Sequence, residues 1–131
     1  MARKRVEWKI KNELWRLGDR TLIAGVISVA PDSVFELGRY EDPDRAFLRA
    51  LELADQGADI IEISADSLRP GNQRVAAAEE LRRLVPVLKR LKDKVATPVC
   101  VETYKPEVAE KAIEYGATII RDPSGLTLDQ E

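Results

Sequence analysis

The sequence predicts an α/β fold of parallel βα units, and two observations predict it. Short apolar runs rich in β-branched residues alternate with longer stretches of helical periodicity, and those helical stretches carry recognisable starts and stops. The apolar runs are Leu22 to Val29, Asp59 to Ile63, Pro98 to Glu102 and Thr118 to Ile120. Each has the length of a strand and too few alternating polar residues for one face to lie in water, so the four are expected to be buried on both faces.

The first helix is bounded by Asp42 as its cap and Pro43 at its first position. Ala46, Phe47, Ala50, Leu51 and Ala54 make one apolar stripe, and Gly57 stops it. In the second, Leu81, Leu84, Val85, Leu88 and Leu91 recur at helical spacing, while Pro86 removes a backbone donor and is expected to bend the helix near Arg82 or Arg83. The third opens at Pro106, is expected to bury Val108, Ala109, Ala112 and Ile113, and ends at Gly116. Gly57-Ala58-Asp59-Ile60-Ile61 returns as Gly116-Ala117-Thr118-Ile119-Ile120, so the same junction from helix to strand is used twice. Ahead of these units, Val6, Trp8 and Ile10 alternate with charges, Lys11-Asn12 suits a turn, and Leu14 to Leu17 return, which predicts a hairpin over 6–17 with Trp8 and Trp15 as its anchors.

The order is βαβαβαβ, four parallel strands over 21–126 preceded by the hairpin. That is half of a (β/α)8 TIM barrel, which in full needs about 250 residues. At 131 residues the chain suits one domain, spanning 1–131.

Composition narrows the chemistry. Charged residues at 34% and apolar ones at 44% describe a patterned globular chain rather than a disordered one. A net charge of -2 supplies no general field to gather nucleic acid or anionic membrane, so neither is an expected partner. The basic start at Arg3-Lys4-Arg5 leads into no apolar run, and a cytoplasmic protein is expected. With no histidine, Ser-His and Cys-His nucleophilic pairs and His-ligated zinc are excluded. The single cysteine, Cys100, has no disulfide partner in the chain, and its neighbours Val99 and Val101 mark it as a buried structural thiol.

Ligands of parallel α/β folds sit at the carboxyl ends of the strands. Polar residues gather after all four: Ser28 with Asp32 and Ser33; Ser64 with Asp66, Ser67, Leu68 and Arg69; Glu102 with Thr103 to Lys105; and Arg121 with Asp122 and Ser124. Such residues also form turns and caps in any loop. Arg69, stiffened by Pro70-Gly71, has the fork to hold a phosphate or carboxylate. Glu102, ending an apolar strand, either pairs with the N–H groups of a flat heterocycle or pairs with Arg121 on the neighbouring strand, and spacing leaves both open.

At these loops the chain resembles the dihydropteroate synthase family, from about Trp8 to Leu126. Leu22 to Ser33, ending Ser28-Val29-Ala30-Pro31-Asp32-Ser33, is similar to the family's strand-one signature. Gly57 to Ile63 with Ser67-Leu68-Arg69-Pro70-Gly71 is similar to its second, and Glu102-Thr103-Tyr104-Lys105 and Ile119 to Gly125 are similar to two more. The resemblance implies a pterin-binding barrel of folate biosynthesis that condenses 6-hydroxymethyl-7,8-dihydropterin diphosphate with p-aminobenzoate, with Mg2+ assisting the diphosphate. It assigns Glu102 and Arg121 to pterin, Ser28 to magnesium and diphosphate, Leu68 and Arg69 to diphosphate and p-aminobenzoate, and Ser67, Asp32, Ser33 and Asp122 to the surrounding substrate-binding loops.

The chain departs from the family where those ligands would bind. Ser28 stands where the family has Asn, Ala30 and Leu68 where it has Thr, Glu102 where it has Asp, and Arg121 where it has Asn. Arg121 puts a long cation in place of a small amide, which would fill the slot or neutralise Glu102. The family's second half supplies further contacts, so this half is expected to be incomplete or inactive alone, and to pair as a homodimer or with a second half-barrel. Two other readings fit the same residues: a non-catalytic module in which Arg69 and Arg121 bind an anion, and a domain similar to the methyltetrahydrofolate-binding methyltransferases.

Overall fold

Parallel strands with helical crossovers bury their apolar residues by layering helices over one face, and the chain obeys that rule. The computed structural model describes residues 3–33, 36–67 and 69–129. Its elements run β1 (Val6–Ile10), β2 (Glu13–Leu17), β3 (Ala24–Ser28), α1 (Pro43–Asp55), β4 (Ile60–Ser64), α2 (Ala77–Leu91), β5 (Val99–Glu102), α3 (Pro106–Glu114) and β6 (Ile119–Arg121). Strands β3 to β6 form one parallel sheet in chain order, and β1 and β2 form a separate antiparallel hairpin. This is the expected half-barrel of four parallel strands with a hairpin before it.

In the hairpin Trp8 and Trp15 are direct cross-strand partners, with ring centroids 6.2 Å apart and planes at 77°, an edge-to-face pair that ties the two strands. The first crossover begins as its residues require: the Asp42 carboxylate accepts the Asp44 N–H at 2.8 Å, with Pro43 opening α1.

The repeated helix-to-strand junction closes with the same bonds in both copies. The Ala58 N–H reaches the Leu53 carbonyl at 2.9 Å and the Ala117 N–H reaches that of Ala112 at 2.9 Å, across glycines at φ +98° and +104°. Only glycine adopts that left-handed turn without cost, so each copy ends its helix and aims the chain into the sheet. Two residues past the glycine the copies diverge. Asp59 pairs with Arg20 at 2.5 Å and accepts the Ile23 N–H at 2.9 Å, whereas its counterpart Thr118 has a buried hydroxyl with no partner among the described residues.

Helix α2 runs unbroken from Ala77 to Leu91 through Pro86, so the proline does not divide the element. Its buried stripe is Leu84, Val87, Leu88 and Leu91 together with Glu80, whose carboxylate meets Lys105. Ile113 of α3, expected in the core, is 57% exposed: Val108 and Ala112 are the positions that turn inward on this short helix.

Alternation along the strands decides where the core lies. Ile27, Ile61, Ile63, Val99 and Val101 face the helices and join Ala46, Ala50, Leu84 and Val108 in one cluster. Gly25 belongs to this face because a side chain there would meet Leu53 of α1 at 3.0 Å. The expectation of strands buried on both faces holds for the central β5, every residue of which is buried, but not for β3. Ala24 and Val26 are exposed, because β3 has a neighbouring strand on one side only and its second face carries no helix.

Candidate functional site

The second face of the sheet is where the chemistry gathers, and strand register puts it there. Ser28 is paired with Ser64, Ser64 with Glu102, and Glu102 with Arg121, so one residue from each strand stands in a row across the carboxyl end of the sheet. One pleat below, Val26, Glu62, Cys100 and Ile119 form the next row. Successive side chains alternate between faces, so these two rows share a face and the residues between them belong to the core. Above the rows lies a cavity of about 280 Å3.

Arg121 is the centre of its polar wall. Its Nε donates to Glu62 Oε1 at 3.0 Å, and its Nη2 is paired with Glu102 Oε2. Both glutamates are 7% exposed while the Arg121 side chain is half exposed, so the guanidinium lies over two carboxylates as their cover. Of the two partners left open for Glu102 by its position, the structure contains Arg121. In the alternative in which Arg69 and Arg121 bind an anion, Arg121 would first have to leave these carboxylates. Arg121 is engaged by carboxylates, and Arg69 is exposed and does not line the cavity.

The loop after β3 folds back over the cavity. Glu36 lines it and accepts the Ser28 N–H at 2.5 Å; burial raises the Glu36 carboxyl above its ordinary range, outweighing this bond, which lowers it. Ser33 lines it too, 5% exposed, its hydroxyl without a partner among the described residues. From the loop after β4, Ser67 lines the cavity and donates to the Asp32 carbonyl at 3.1 Å, joining the first two loops. Asp66 and Lys105 join the second and third: Lys105 Nζ lies 3.7 Å from Asp66 and 2.6 Å from the buried Glu80. Burial works against the Lys105 ammonium, but these carboxylates, Glu80 foremost, outweigh it and raise the pKa. Arg83 of α2 holds the second loop as well, donating to the Ala65 carbonyl at 2.8 Å.

Of the residues singled out from sequence, Ser28, Ser33, Ser67, Glu102 and Arg121 line this one cavity. Asp32 meets it only through its carbonyl bond to Ser67. Asp122 faces its own loop, accepting the N–H and hydroxyl of Ser124, each at 2.7 Å, and the Leu126 N–H at 3.1 Å; those bonds hold its carboxyl below the ordinary range. Leu68 lies outside the described residues. Glu62 and Glu36 are the residues that sequence reasoning passed over. Glu62 carried a signal, as a carboxylate inside an apolar β-branched strand and two positions before Ser64; Glu36 carried none, since only the path of its loop brings it in.

Magnesium asks for carboxylates and phosphate oxygens in octahedral array. Ser28 offers one hydroxyl, which already accepts the Ala30 N–H at 3.3 Å, and among the described residues no three of His, Cys, Asp and Glu gather as metal ligands. On its own Ser28 is a weak ligand for the ion. Cys100, on the cavity face but 3% exposed, has its thiol pushed up to about 11, chiefly by burial and then by Glu62, and is no nucleophile. Among the described residues no helix is long and apolar enough to cross a membrane.

A parallel half-barrel with a cavity at the carboxyl ends of its strands defines a class of ligand-binding α/β barrels. Within that class, the family described as pterin binding enzyme matches residues 24–131, and the chain belongs to it. A dihydropteroate synthase of Clostridium beijerinckii is 41% identical over 94% of this chain and 46% of its own length. Among solved structures, the Yersinia pestis dihydropteroate synthase with a sulfonamide drug complex superposes with a TM-score of 0.87 at 30% identity, covering 95% of this chain and 44% of that one. The Xanthomonas albilineans dihydropteroate synthase with 4-aminobenzoic acid gives 0.80 at 37% identity, covering 93% and 45%. The chain thus spans about half the length of the relatives it matches.

Proposed function

We propose that the chain forms the first-to-fourth-strand portion of a dihydropteroate synthase-type pterin site in folate biosynthesis, the site at which 6-hydroxymethyl-7,8-dihydropterin diphosphate meets p-aminobenzoate. The observation that carries this reading is the row of Ser28, Ser64, Glu102 and Arg121 across the strand ends, with Glu62 beneath it, lining one cavity. Glu62 and Glu102 are the acceptors for the N–H edge of a flat bicyclic ring, at the deep end. Ser33, whose hydroxyl has no partner among the described residues, is the donor toward its tail. Residues 1–131 act as one pterin-binding-like unit in the cytoplasm, and the outer edges of β3 and β6 take a second copy or a second half-barrel.

Calorimetry with pterin diphosphate, pyrophosphate and p-aminobenzoate tests the reading. Binding of the pterin compound, strengthened when Glu102→Asp and Arg121→Asn restore the family's residues, is the expected result. Pyrophosphate binding with no pterin binding in either form would overturn it. Light scattering tests the pairing of edges, which a stable, well-folded monomer would rule out.

A further inference from the structure

The cavity is acidic in a way a diphosphate ester does not call for. Glu36, Glu62, Asp66 and Glu102 line it, and Arg121 is the one cation among its described lining residues. Asp66 has Lys105 nearby, but Glu62 and Glu102 share the single guanidinium of Arg121. Independently of the carboxylates, the Ser33 hydroxyl is buried in the same wall with no partner among the described residues, a polar group left for something that enters.

A guanidinium is a planar carbon carrying three nitrogens, and Arg121 presents Nε to one carboxylate and Nη2 to the other. A 2-aminopyrimidin-4-one ring is a cyclic acylguanidine whose edge offers the same N–C–N pattern of donors to the same acceptors. A ring that takes Glu62 Oε1 and Glu102 Oε2 must displace Arg121 from them. We propose that Arg121 is an intramolecular occupant of the ligand's seat, so that the cavity selects planar rings with a guanidine- or amidine-type edge and admits them only when Arg121 withdraws. This rests on the pterin-site reading and adds to it a competitor built into the chain. Arg121 sets specificity here by occupying the acceptors, and any ring must displace it before the intrinsic affinity is realised.

The test titrates the whole chain with two probes, methylguanidine and 2-aminopyrimidin-4-one, comparing wild type, Arg121→Ala and Arg121→Ala with Glu102→Gln. Arg121→Ala is expected to bind methylguanidine at least about tenfold more tightly than wild type, and Glu102→Gln to remove that gain. A folded Arg121→Ala chain that binds methylguanidine no better than wild type overturns the proposal. Should Arg121→Ala alone not fold, Arg121→Ala with Glu62→Gln leaves one carboxylate facing the vacated seat and carries the same comparison. The two readings fail separately. A gain for both probes with no binding of the pterin diphosphate retires the pterin reading and keeps the self-occupied seat, whereas a gain for methylguanidine with none for the pyrimidinone overturns the selection of rings. Tight pterin binding by wild type, unchanged in Arg121→Ala, does the reverse.

Discussion

The two faces of the four-stranded sheet are built from alternate residues of the same strands and do opposite work. On the helix side, Ile27, Ile61, Ile63 and Val101 are wholly buried against α1, α2 and α3. On the other, Val26 is 53% exposed, and the buried positions are Glu62, Ser64, Cys100 and Glu102. One face is held by close packing of apolar side chains; the other keeps Glu62 and Glu102, which share Arg121. A period of two thus lets three to five residues per strand serve as wall and as site without compromise between them.

Truncation on each side gives the most direct way to break this comparison. Ile63→Ala, on the packed face, is expected to cost about 2–5 kcal/mol in denaturant unfolding. A loss under about 1 kcal/mol would mean the helix face is not close-packed. Arg121→Ala, on the other face, leaves Glu62 and Glu102 uncovered and is expected to cost about 1–2 kcal/mol, less than a fully buried pair because the guanidinium is half exposed. If the two substitutions cost the same, the division of labour between faces is wrong.

Smaller effects sharpen the comparison at the strand starts, where the two copies of one junction diverge. Thr118→Val removes a buried hydroxyl that has no partner among the described residues and is expected to raise stability by about 1 kcal/mol, read as an upward shift in melting temperature. Asp59 differs, because its bonds to Arg20 first and then to the Ile23 N–H lower its pKa from 3.8 to about 2. The folded pKa is depressed, so this stabilisation is complete above the unfolded value and is lost as pH falls from about 4 toward 2. Asp59→Asn should flatten the acid limb of a stability profile in that window, and an unchanged limb would assign the acid loss elsewhere. Least affected is Cys100, which should resist alkylation at neutral pH in the folded chain and react after unfolding.

Local signals were sufficient for elements and their order. Asp42-Pro43, Pro106, Gly57 and Gly116 each bound a helix because capping and left-handed turns are decided within a few residues. The same holds for the strands, whose β-branched runs matched the four observed to within a few residues. The site was legible only in part: Ser28, Ser33, Ser67, Glu102 and Arg121 were visible as loop and strand-end residues, while Glu36 was not, and Arg69 and Asp122 were drawn in by motif though their side chains lie off the cavity.

What the amino-acid order determined by itself was the alternation of strands and helices and the apolar stripe of each, since propensity, capping and periodicity act along the chain. Which carboxylate Arg121 would hold was a matter for the tertiary structure. Parallel register sets Arg121 beside Glu102 in one row and over Glu62 in the row below, and no spacing in sequence encodes a distance across a sheet.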